Sequence, residues 1–194
     1  MDAEQTVEGL LDYAHALLGS RLVHRDVVAE ITEVEAYAGP LDPASHAFSR
    51  TPRSEIMWGP PNRLYVYFSY GVHWCANVVW GPEGTPGAVL LRAGRIVEGL
   101  DIAQERRGVA VAPYRLAQGP ANLTAALGIT GADNGTDLSV GNLRLELRTA
   151  SAPRISSGPR VGVSKAPDEP WRFWIDGDPT VSVYRRSPRA PTGH

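Results

Sequence analysis

Glu33, Glu35 and Tyr37 alternate in the stretch EVEAY, and His46 follows after a turn built around Gly39, Pro40, Asp42 and Pro43. Alternation places Glu33, Glu35 and Tyr37 on one face of a strand, although acidic side chains are depleted in strands. Carboxylates this close together can polarise a water or divide acid–base work in the hydrolysis of a glycosidic bond. Two readings stand side by side: a hydrolytic site that gathers the acids, the tyrosine and the histidine, or a solvated edge strand whose polar face meets water.

A second segment, RLYVYFSYGVHWCANVVW, runs from Arg63 to Trp80 and pairs two aromatic-rich strands around Tyr70-Gly71. Glycine supplies the positive φ that a tight turn demands. With Tyr70 and Gly71 as the central pair, Tyr67 falls opposite Trp74, and Tyr70 projects from the tip. Tyr65, Phe68 and Trp74 read as core or sheet-face residues. An aromatic at a hairpin tip cannot bury itself in its own core and marks a contact surface, one that could enter between stacked bases.

The elements that must position these residues are legible from periodicity. An amphipathic helix is expected over residues 7–18, with Val7, Leu10, Leu11, Ala14, Leu17 and Leu18 on one stripe and Gly19 as its stop. Strands are expected at RLVHRD, VVAEITEVEAY, RLYVYFSY, CANVVW and GAVLLRA, and again at LRLELR, RVGVS, RFWID and TVSVYRR. Helices are expected over IVEGLDIAQERR and PANLTAALG, a loop at ADNG, and a loose tail from about residue 187 to 194. Short spacings between strands favour antiparallel pairing, giving a single α+β domain over residues 1–194.

Composition bounds the function classes. At 194 residues the chain can bury a full core without staples. The lone cysteine, Cys75, excludes an internal disulfide framework, argues against a structural zinc site and fits a reducing cytoplasm. No apolar run is long enough to span a bilayer, and the acidic MDAEQTVEGLL start lacks a secretion pattern. The net charge of −2 decides nothing about anionic partners. Of the 19 lysine and arginine residues, Lys165 alone is a lysine. The planar arginine fork suits phosphate, and Arg50, Arg53 and Arg63 fall together.

The segments EVEAY, SHAF, TPRSEIMWGPPNRLYVYFSYGVHWCANVV, GAVLLRA, GPANL, RVGVS and VSVYRR, in this order, closely resemble the alkyladenine (3-methyladenine, methylpurine) DNA glycosylase family. The resemblance implies a curved, mostly antiparallel sheet with a protruding, DNA-inserting β-hairpin. It implies that Glu35 activates the attacking water, and that Arg92 and the backbone carbonyl of Val161 hold it. Tyr37 and His46 would form one wall of the pocket for a flipped base, Tyr67 the opposing wall, and Tyr70 would fill the gap left in the duplex. Asn77 would obstruct the amino group of normal guanine. Arg50 and Arg53 are expected to contact phosphates, in a loop shorter than that of vertebrate members, and His73 stands where those members carry an aromatic. Glu33 is expected to be structural, held by an arginine, since a second ionised acid would oppose Glu35 acting as base.

The implied activity is a monofunctional glycosylase releasing alkylated or deaminated purines from double-stranded DNA. It would act as a soluble cytoplasmic monomer without metal or organic cofactor. Two other classes compete: a noncatalytic nucleic-acid-binding module that keeps the aromatic hairpin, and a sugar hydrolase using Glu33 and Glu35 as an acid–base pair.

Overall fold

The computed structural model describes residues 3–191. Helix α1 (Ala3–Leu17) leads into β1 (Arg21–His24) and β2 (Val27–Tyr37), followed by the hairpin β3 (Leu64–Ser69) and β4 (His73–Trp80) and by the long β5 (Gly87–Glu98). Helices α2 (Leu100–Arg107) and α3 (Pro120–Leu127) come next, then three short strands, β6 (Leu143–Glu146), β7 (Ile155–Gly158) and β8 (Arg172–Ile175). All strand pairings are antiparallel, and one sheet runs in the order β3-β4-β5-β2-β1-β6, with β8 also on β2 and β7 on β8. The α+β class expected from the sequence is the one observed.

The apolar stripe of α1 does what its spacing predicts. Leu10, Ala14, Leu17 and Leu18 are fully or almost fully buried against Val34, Val89 and Leu91 of the sheet. Each such leucine contributes about 1.5–3 kcal/mol on leaving water. On the same core lie Leu123, Ala126 and Leu127 of α3, while Met57, Tyr65, Val79 and Ala88 form a smaller satellite cluster.

Strand β2 is central because it has three partners. Strand β5 runs along one edge; the other edge is shared, with β1 pairing residues 27–30 and β8 pairing residues 33–35. Its register against β5 is interrupted. Ile31 faces Gly94 and Glu33 faces Ala93, leaving Thr32 extra on β2; Val34 then faces Leu91, leaving Arg92 extra on β5. Such bulges bend a strand and re-aim the extra side chain, and here the second one frees Arg92 from the alternation of β5.

Several local expectations are corrected. Ile96 and Glu98 pair with Ala29 and Val28, so the start of the expected second helix is strand, and α2 begins only after the chain turns at Gly99. RVGVS and TVSVYRR form no strand. Their backbone groups go elsewhere: Val161 N–H to the Glu35 carboxylate and Ser182 N–H to that of Glu33. In the hairpin, Tyr70 and Gly71 both have positive φ, and Ser69 C=O accepts from Val72 N–H. Val72 is nevertheless an extra residue, so Ser69 faces His73, Phe68 faces Trp74, and Tyr67 faces Cys75 rather than Trp74. Of the expected tail, Ser187 and Ala190 share a turn and Pro191 C=O accepts from Arg186; residues 192–194 lie outside the described residues.

Candidate active site

A cleft of about 760 Å3 opens beside the hairpin, and Glu35, Tyr37, His46, Arg53, Tyr67, Tyr70, Asn77, Arg92 and Val161 all line it. Residues drawn from five separate stretches of chain are thus brought to one concavity. Of the residues singled out from the sequence, Glu33, Arg50, Arg63, His73 and Trp74 are not part of its lining.

Glu33, Glu35 and Tyr37 do share a face. Glu35 is fully buried and its carboxylate is enclosed by donors. Its Oε1 accepts from Val161 N–H at 2.7 Å and lies 3.2 Å from Arg92 Nη1; its Oε2 accepts from Tyr37 O–H at 2.8 Å. Burial, followed by the neighbouring Glu35 charge, pushes the Tyr37 phenol well above its ordinary range, so this hydroxyl stays a donor.

Glu33 is the structural partner. Its Oε1 accepts from Arg92 Nε at 2.9 Å, Arg172 Nε at 2.7 Å and Ser182 O–H at 2.9 Å, while Oε2 accepts from Ser182 N–H at 2.7 Å. Burial works against its ionised form, but Arg92 and Arg172 outweigh it and hold the carboxyl below the usual range. Arg92 therefore bridges both acids, Nε on Glu33 and Nη1 on Glu35. The pairing reaches further than the single arginine expected from sequence, because β5 and β8 flank β2 on opposite edges.

The turn after Tyr37 carries the next wall. Gly39 adopts φ +57, and a Cβ there would fall 2.2 Å from the Pro86 carbonyl oxygen, so only glycine fits this close passage. The turn brings Asp42 to Arg160, an ion pair with both side chains fully buried. Arg160 also donates to Ala36 C=O at 3.0 Å and lies 4.7 Å from the Tyr37 ring centre and 5.1 Å from that of Trp171. Sequence reasoning missed this arginine. Its only signal was its place immediately before Val161, and no local pattern marks a partner 118 residues away.

His46 stands edge-on to Tyr67, with ring centres 4.7 Å apart, and its Nδ1 lies 3.1 Å from Tyr65 Oη. Burial of the ring, helped by Arg53, lowers its pKa to about 4, so it is neutral near pH 7. Arg53 donates to the same Tyr65 hydroxyl at 3.2 Å and sits 4.8 Å from the Tyr67 ring centre. Since Arg53 Nε can only donate, the single Tyr65 proton is left for His46 Nδ1. Arg50 is instead paired with Glu55 on the surface and lies over Trp58.

Asn77, 4% exposed, donates from Nδ2 to Tyr65 C=O at 3.1 Å, which fixes the plane of its amide at the cleft. Tyr70 is 94% exposed at the hairpin tip. Phe68, expected in the core, is 47% exposed and lines the cleft, and the shifted register sets it opposite Trp74, with ring centres 4.6 Å apart. Trp74 does pack against the main core, and Tyr65 is buried.

The family model described as methylpurine-DNA glycosylase matches residues 5–179. A protein of Mycobacterium tuberculosis (strain ATCC 25618 / H37Rv), named "Putative 3-methyladenine DNA glycosylase", is 51% identical over 197 residues, covering 98% of this chain and 97% of its own. One of the same name from Mycobacterium leprae (strain TN) is 49% identical, covering 98% of this chain and 92% of its own. The chain belongs to the methylpurine-DNA glycosylase family.

Proposed function

We propose that the protein is a monofunctional DNA glycosylase, acting as a single-domain monomer, that takes a damaged purine out of duplex DNA and hydrolyses its N-glycosidic bond. The substrates are alkylated or deaminated purines of the 3-methyladenine, 7-methylguanine, hypoxanthine and ethenoadenine class. The observation that carries this reading is Glu35: a carboxylate fully buried yet at the wall of an open cleft, held by Val161 N–H, Arg92 and Tyr37 O–H.

The chemistry follows from that placement. Breaking C1′–N leaves positive charge on the sugar. The Glu35 carboxylate stabilises that charge and takes a proton from the attacking water, which Arg92 and the Val161 carbonyl hold. A base inside a duplex cannot reach a buried carboxylate, so it must be rotated out of the stack. Tyr37 on one side and Tyr67 on the other, with His46 edge-on against Tyr67 rather than beside Tyr37, offer stacking faces, worth about 1–3 kcal/mol per base–aromatic contact. Tyr70 enters the vacated stack, and the fixed amide of Asn77 obstructs the exocyclic amine of guanine.

A noncatalytic binding module would not need a buried carboxylate with an arginine and a backbone donor converging on it. A sugar hydrolase pairing Glu33 with Glu35 is disfavoured because four hydrogen bonds commit Glu33. The test is to incubate the protein with alkylated duplex DNA and assay free modified bases and abasic sites. Both products are expected; the appearance of neither would leave only binding or carbohydrate chemistry.

A further inference from the structure

The charges around the cleft do not balance. The buried acids Glu33, Glu35 and Asp42 are matched by the buried arginines Arg92, Arg172 and Arg160. Two cations that line the cleft, Arg53 and Lys165, have no carboxylate within ion-pair distance among the described residues. Lys165 lies over Phe48, which is not among the lining residues. Arg53 lies against the base-pocket wall itself, over Tyr67 and tethered by Nε to Tyr65 O–H. With His46 neutral, Arg53 is the cation on that wall.

We propose that Arg53 raises kcat/KM for neutral damaged purines and not for cationic ones, making it a specificity-determining residue rather than a phosphate contact. The inference rests on the glycosylase reading above. In either case the C1′–N9 bond breaks with its electron pair going to N9, water oxygen bonds to C1′, and the water proton passes to Glu35. An N7- or N3-alkylated purine carries a fixed positive charge in the nucleoside and leaves as a neutral molecule. Hypoxanthine is neutral in the nucleoside and leaves as an anion that later takes a proton from solvent. Each base gains one negative charge on leaving, so a guanidinium fixed at the wall favours bond breaking in both cases, but it also repels the cationic purine on binding. Measured from free DNA, the two effects cancel for the cationic lesion, and the neutral one keeps the whole gain. The Tyr65 tether fixes its position beforehand, so little reorganisation accompanies bond breaking.

The test is single-turnover excision with enzyme in excess of DNA but below its Kd, which reads kcat/KM, from duplexes carrying one hypoxanthine or one 7-methylguanine in the same sequence. Arg53 is exposed, so its replacement leaves the core intact. Arg53→Met should slow hypoxanthine release roughly five- to twenty-fold more than 7-methylguanine release, as expected for one unit charge lost at partly screened range. Arg53→Lys, which keeps the charge, should restore most of the difference. A phosphate contact would behave otherwise. Both lesions would then lose affinity alike, the dependence of log K on log salt would become shallower by about 0.9, and the ratio of the two rates would stay as in the unsubstituted protein. That outcome would overturn the inference while leaving the glycosylase reading intact. Failure of the unsubstituted protein to release either base would remove both.

Discussion

Glu35 has no free oxygen that is not already near a donor, and that sets the sharpest prediction at the scale of single residues. Glu35→Gln keeps the size but replaces one oxygen by an NH2, which would face either the Val161 N–H and Arg92 or the Tyr37 hydroxyl. Single-turnover excision should fall by roughly two to three orders of magnitude or more, the scale seen when a key electrostatic group is removed. Binding to abasic-site DNA, measured by a gel or anisotropy titration, should change little. Excision within a few-fold of the unsubstituted protein would remove Glu35 from the centre of the mechanism. Asn77 should act by exclusion. Its amide is held by Tyr65 C=O, so Asn77→Ala removes an obstacle and should raise the release of guanine relative to hypoxanthine. An unchanged ratio of those two rates would dispose of that role.

At the scale of elements, the hairpin and the strap after β8 carry separate duties. Tyr70, at a tip where two consecutive positive φ values turn the chain, has almost its whole surface in water. Tyr70→Ala should weaken lesion binding and slow excision of well-paired lesions, with a smaller loss on mismatched ones, whose unstacking costs less. Equal activity on well-paired lesions would show that Tyr70 is not the wedge. The strap around Ser182 is tied to β2 through Glu33, which also anchors Arg92 and Arg172. Glu33→Gln should destabilise the fold by roughly 3–5 kcal/mol at neutral pH, because it leaves the buried Arg172 without its counter-charge and Arg92 with Glu35 alone. The Glu33 carboxyl titrates below its ordinary 4.5 in the folded state. The stability it confers is therefore present above that pH and is lost as pH falls through the folded value. Urea unfolding at pH 7 and at pH 4 should show the gap between variant and parent narrowing on acidification; a gap of constant size would contradict the assignment.

For the whole molecule, the net charge of −2 gives no long-range attraction to DNA, so capture depends on the local cations at the cleft face and should weaken with salt. The arrangement also fixes what the enzyme leaves behind. An amine nucleophile would form a Schiff base with the sugar and lead to strand cleavage. Lys165 is the single lysine of the chain, and its ammonium group lies 5.8 Å from the Phe48 ring centre, at the exposed end of the loop that begins with Val161. Water activated by Glu35 should be the nucleophile, leaving an unbroken abasic strand, and borohydride added during turnover should trap no covalent adduct. Trapping that vanishes in Lys165→Ala would make Lys165 the nucleophile, and trapping that survives would point to the N-terminal amine.

Much of this was readable in one dimension because it rests on local periodicity. The stripe of α1 and the alternation of Glu33, Glu35 and Tyr37 are set by side-chain direction along a helix or a strand, and both appear in the fold. The order of the motifs likewise identified the family that the comparison shows. What tertiary structure alone decided depends on groups far apart in the chain. The bulge that frees Arg92 arises from the pairing of β2 with β5, and the extra Val72 that sets Phe68 opposite Trp74 arises within the hairpin ladder. RVGVS and TVSVYRR alternate as strands do, yet their key amides are taken by buried carboxylates rather than by a neighbouring strand. A buried charge seeks its partner through space, and neither Arg160 nor Asp42 carries in its own segment any sign of the other.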